Sequence, residues 1–116
     1  LQGGVLVHEW PASQAALART KQTEDGEVAL RCEAYVSGHE VANAFDELTD
    51  GEVLRDRWEA NNALRTANGD TPHPIDEALI DATGRLPRCA GIAVGFERLV
   101  AVLSGWDNLH RGQVPR

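Results

Sequence analysis

Residues 32–50, CEAYVSGHEVANAFDELTD, decide how this chain folds. Glu33, Glu40 and Glu47 recur every seven residues, with Asn43 between the last two. Seven is a helical interval, yet Tyr35, Val36, Val41 and Phe45 surround a Ser37-Gly38 pair and carry aromatic or β-branched side chains. Two such runs about a glycine-containing pair read as an antiparallel hairpin, with strands over residues 28–36 and 39–45. Side chains alternate faces along a strand, so register decides which carboxylates meet. A regular two-residue turn at Ser37-Gly38 sets Glu33 opposite Ala42, with Glu40 diagonal to it on the same face. Asn43 and Glu47 then have the opposite parity to Glu40. The four gather only if an irregularity near Val41–Ala42 shifts the phase, as β-bulges do when they re-aim side chains. Two readings stay open at this point. Glu33 and Glu40 hold a hard divalent cation such as Mg²⁺, which prefers carboxylate oxygen, or the acidic residues form a solvated outer face.

Working outward, GGVLVHEWPAS offers a short strand around residues 5–8, stopped by Pro11. Residues 12–20 are alanine-rich and read as a helical turn or a packed loop, and KQTEDGE as a polar turn about Asp25-Gly26. Downstream, TDGEVLRDRWEANNALRTANG is the clearest helix. Thr49 with Glu52 three residues on matches a capping box, and Asn68-Gly69 supplies the stop. Val53, Leu54, Trp58 and Leu64 form its apolar stripe. TPHPID connects to a short helix in DEALIDATGRL, ended near Gly84. AGIAVG reads as a buried strand and FERLVAVLSG as a final helix ended at Gly105, while the tail WDNLHRGQVPR has no pattern. Strands interleaved with helices, without βαβ alternation, predict an α+β fold: an antiparallel sheet with flanking helices.

At 116 residues the chain is one domain at most, able to bury roughly two-thirds of its unfolded surface. Its net charge of −7 leaves no basic face for direct capture of nucleic acid. No apolar run approaches the ~20 residues of a membrane span. Cys32 and Cys89 form no CxxC pair, which argues against zinc. Buried free thiols in a reducing cytosol are expected, with a disulfide as the alternative. The four histidines, His8, His39, His73 and His110, show no ligand spacing.

In GIAVGFER, Gly91, Ala93 and Gly95 share one strand parity and make a flat, open face, while Ile92, Val94 and Phe96 are expected to point into the core. Glycine in a strand often marks close approach of a ligand, and a small-residue face admits a planar ring. Arg98, in the first turn of the next helix, can cover that ring or reach a phosphate. Tight helix-on-sheet packing explains the same small residues, so this segment alone leaves both readings open.

GHEVANAFDELTD followed by GIAVGFERLV resembles the catalytic core of the class II lysyl-tRNA synthetases, GFER corresponding to their motif 3. WPASQAALART, and Ala93 where synthetases usually carry glycine, make the chain more similar to a paralogous family, the elongation factor P–(R)-β-lysine ligases. The resemblance runs from about residue 5 to residue 105 and implies the C-terminal part of a class II catalytic core. It implies that Glu33 and Glu40 hold Mg²⁺ and the phosphates of ATP, and that Gly91, Gly95 and Arg98 receive the nucleotide. It implies that Asn43 orients the head group of a lysine or (R)-β-lysine, Glu47 pairs with the side-chain ammonium, and Ala93 reshapes the lysine pocket. No side chain is singled out as catalytic. Motifs 1 and 2, with the motif 2 arginine that grips the α-phosphate, have no counterpart in these residues, so the chain is expected to be inactive alone. The family further implies a cytoplasmic setting and, as part of a longer protein, elongation factor P as acceptor. Surfaces that would meet a missing half are expected to be apolar and open to self-association. The reading from a different class is a non-catalytic binding or interaction domain on the same fold.

Overall fold

The computed structural model describes residues 3–106. Its elements are strands β1 (Gly4–Pro11), β2 (Thr20–Thr23), β3 (Gly26–Val36), β4 (His39–Asp46) and β5 (Ala90–Val94), with helices α1 (Gly51–Ala67), α2 (Glu77–Thr83) and α3 (Phe96–Leu103). This is the expected α+β fold on an antiparallel sheet. The tail beyond Trp106, with His110, lies outside the described residues. Two compact units form, one from the chain up to Asp46 together with the segment from Ala90 onward, the other from Glu47–Cys89.

In the first unit the sheet runs β1-β3-β4-β5, and every pairing is antiparallel. The β3–β4 turn is tight because Ser37 and Gly38 both take left-handed φ, +51° and +82°, the twist that suits a two-residue hairpin. β2 pairs with Gly26–Ala29 at the start of β3. Its sequence, TKQT, lacks apolar alternation, which is why it reads as part of a turn. A short 3-10 turn, Ala12–Gln14, follows β1. Beyond it Ala15 and Ala18 pack on Ala29, flanked by Trp10 and Phe45. Alanines let this segment lie close on the sheet, so the cluster is dense but small.

One expectation is overturned. Ile92, Val94 and Phe96 are 67%, 53% and 72% exposed rather than in the core. Helix α3 packs against β4, where Val41 and Ala42 are buried, and Ala101 is its buried residue. Among the described residues nothing covers that side of β5, so its apolar side chains stand open, as does Leu6 on β1.

The second unit centres on Leu48, Leu54 and Ile80, with Trp58 and Ile75 against them. Helix α1 is capped by Asp50, not Thr49: the Asp50 carboxylate accepts from the amides of Glu52 at 2.9 Å and Val53 at 3.2 Å. Asp50 has the extended backbone that a cap requires, so the helix starts one residue later than the capping-box spacing implies. The helix stops at Asn68, followed by Gly69 at φ +83°. Of the expected stripe Leu54 is buried, whereas Val53 and Leu64 are exposed. Asp76 caps α2 by accepting from Leu79 N at 3.0 Å. Arg55 forks onto Glu77 between the two helices, but both are solvated and the pair adds little to stability.

Candidate functional site

The β3–β4 ladder contains the irregularity that the parity of the acidic residues requires. Val36 pairs with His39 and Tyr35 with Glu40, but Ala34 pairs with Ala42 and Glu33 with Asn43. Val41 is the extra residue of a β-bulge. The regular-hairpin pairing of Glu33 with Ala42 is therefore displaced by one. Residues directly opposite each other share a face, so Glu33, Tyr35, Glu40 and Asn43 all stand on one side of the sheet. The bulge carbonyl is not wasted: Val41 O accepts from Gly95 N at 2.9 Å, which anchors the turn into α3.

β5 extends the same face. Asn43 pairs with Ala93 and Phe45 with Gly91, so Gly91 and Ala93 lie beside the acidic residues. Gly95 follows β5 as the cap residue of α3. A Cβ there would come 3.4 Å from Arg98 Cδ, so the arginine's stem lies along the glycine. Arg98 Nη1 donates to the Glu40 carbonyl at 3.3 Å and stands 3.8 Å from Glu40 Oε2. Glu47 is the first residue of the second unit, where its amide donates to Cys89 O at 3.0 Å. Cys32 and Cys89 are free and half-buried.

Glu33 is the buried acid of the face, 4% exposed. Oε1 accepts from Arg31 Nη2, and Oε2 accepts from the Tyr35 hydroxyl at 2.6 Å. Arg31 was not singled out in the sequence, because a charged residue beside a cysteine reads as solvent-facing. The available signal was parity: Arg31, Glu33 and Tyr35 alternate along β3, and Arg31 is paired with Phe45. A carboxylate offers about four lone-pair directions, so two remain on Glu33 after these bonds. Among the described residues no three His, Cys, Asp or Glu side chains form a preformed metal cage. Two hard carboxylates on one face nevertheless fit Mg²⁺, which keeps water and phosphate oxygens among its ligands and is bound by one or two carboxylates.

The family model for tRNA synthetases class II (D, K and N) matches residues 2–112. The chain belongs to that family. Among curated relatives, the elongation factor P–(R)-β-lysine ligase of Salmonella dublin is 45% identical over 105 residues, covering 90% of this chain and 32% of that protein. The chain thus spans about a third of the length of the relative it matches. No described helix is long and apolar enough to cross a membrane.

Within this family member, Tyr35 reports on Glu33. The hydrogen bond to Glu33 holds the phenol above its ordinary 10.0, because ionisation would break the bond and set two anions together. The sign follows from a raised pKa: the contribution to stability is complete below pH 10.0 and is lost as pH rises through the folded value. Tyr35 is the only tyrosine, so the ultraviolet signal of phenolate isolates it. Its midpoint is expected above 10.0 in the folded chain. Glu33→Gln is expected to bring it back toward the ordinary value. An unshifted wild-type midpoint would mean that the hydroxyl faces water instead of Glu33.

Proposed function

We propose that this chain is the ATP- and lysine-binding portion of a lysine-activating ligase resembling the enzyme that modifies elongation factor P. The observation that carries the reading is the Val41 bulge, which sets Glu33, Glu40 and Asn43 on one face with Gly91 and Ala93. Glu33 and Glu40 would hold Mg²⁺, which when bound offsets the charge of a triphosphate. The flat strand at Gly91 and Gly95 receives the adenine, and Arg98 covers it. Asn43 orients the head group of lysine or (R)-β-lysine, Glu47 takes the side-chain ammonium, and Ala93 reshapes the lysine pocket. Positioning and fixed charge are what adenylate chemistry asks of a protein. Because the chain spans a third of its relative, completion of the reaction, elongation factor P as acceptor and a cytoplasmic setting belong to a longer protein containing this segment.

Titration calorimetry of the chain with Mg²⁺-ATP and with lysine tests this. Arg98→Ala is expected to weaken ATP by roughly 0.5–2 kcal/mol, the range of a cation over a ring, with lysine affinity and thermal midpoint unchanged. A bulky residue at Gly95 pushes the Arg98 stem aside and is expected to block the nucleotide. Equal ATP affinity in all three chains would reduce this surface to packing. No heat from either ligand would favour a non-catalytic interaction domain.

A further inference from the structure

Arg31 has no part in the roles assigned above, yet it bonds to both Glu33 and Asn43. Nη2 donates to Glu33 Oε1, Nε donates to Asn43 Oδ1 at 3.3 Å, and Nη1 donates to the Gln14 carbonyl at 3.0 Å. Its guanidinium carbon lies 4.6 Å from the ring centre of Trp10 and 5.8 Å from that of Phe45. Each guanidinium nitrogen is engaged, and the plane is held against two rings. Such a group has little freedom to swing.

We infer that Arg31 is a positioning residue that locks Glu33 and Asn43 in one fixed relation, and so couples the cation subsite to the head-group subsite. The inference rests on the proposed roles of those two residues. Its chemical consequence concerns Asn43. A guanidinium only donates, so the amide must turn its oxygen toward Arg31 and present its NH₂ hydrogens to a ligand. The NH₂ presented there suits a group that accepts hydrogen bonds, a carboxylate or carbonyl oxygen. Glu33 is treated alike, with one lone pair of Oε1 spent on Arg31 and its carboxylate plane fixed. Lysine at position 31 would keep the charge but not the fork, since an ammonium is a point donor on a flexible stem.

The test compares wild type, Arg31→Lys and Arg31→Gln by thermal unfolding and by calorimetry with Mg²⁺-ATP and with lysine. Loss of about tenfold or more in affinity for both ligands, in both folded variants, is expected of a residue that orients ligating groups. Unchanged affinity, loss for one ligand only, or rescue by Arg31→Lys would overturn the coupling. A second arm needs no ligand and no Arg31 variant. The Arg31 Nε–Hε resonance is followed by NMR in wild type, Glu33→Gln and Asn43→Ala. Both substitutions are expected to shift it, and an unmoved resonance would overturn the clamp. This arm decides if the Arg31 variants do not fold. It also decides if wild type binds neither ligand, a result that removes the proposed function without bearing on the clamp.

Discussion

Gly51→Ala is expected to destabilise the α1–α2 unit by about 1–3 kcal/mol, the usual cost of overpacking. A Cβ built at Gly51 would stand 2.7 Å from the backbone oxygen of Ile80 and 3.2 Å from its Cγ2. The first is closer than real Cβ atoms come, and the atom in the way is backbone, not a flexible tip. Ile80 is 3% exposed and sits in the cluster with Leu48 and Leu54, so α2 cannot retreat without opening that core. The sign is informative, because alanine is otherwise the better helix former by roughly 1 kcal/mol. Urea unfolding followed by circular dichroism measures it. A midpoint equal to or above wild type would show that α1 and α2 do not approach this closely.

Much of this arrangement was legible in the sequence because several local signals agreed. The Ser37-Gly38 turn, the two flanking strands and the helix stops at Gly69 and Gly105 follow from backbone preferences that tertiary packing did not override. The bulge at Val41 was legible in a different way: parity left no other route by which Glu33, Glu40 and Asn43 could share a face. What escaped were features with no apolar signature. Thr20–Thr23 is polar throughout, and it is a strand because Gly26–Ala29 offers it a ladder. Thr49 and Asp50 both suit a cap, and only backbone geometry chooses between them. Ile92 and Val94 read as core because an apolar run says that a residue avoids water, not what covers it. Arg31 escaped because its value lies in partners from three parts of the chain, Gln14, Glu33 and Asn43, and Asn43 comes opposite Glu33 only through the bulge.

The largest loss of stability is expected from Arg31→Met. It leaves Glu33 buried, with the Tyr35 hydroxyl as its remaining hydrogen-bond donor among those described. Breaking one side of a buried ion pair costs about 3–5 kcal/mol, mostly because the surviving charge has lost its compensation. Asn43 Oδ1 and the Gln14 carbonyl lose a donor in the same step. Glu33→Gln is expected to be milder, since the amide oxygen still accepts from Arg31 and no buried anion remains. The double variant Arg31→Met/Glu33→Gln separates charge from shape. If the loss in Arg31→Met comes from a stranded carboxylate, neutralising Glu33 as well should recover a large part of it, and the double variant will be more stable than the single one. Urea unfolding of the four chains gives the coupling directly. Additive losses would instead mean that Arg31 stabilises this end of the sheet through its rings and carbonyl contacts, and that the Glu33 carboxylate is solvated well enough to stand alone. A carboxylate able to do that would also need no guanidinium to fix its direction, so additivity here would count against Arg31 as the residue that orients Glu33 toward a cation.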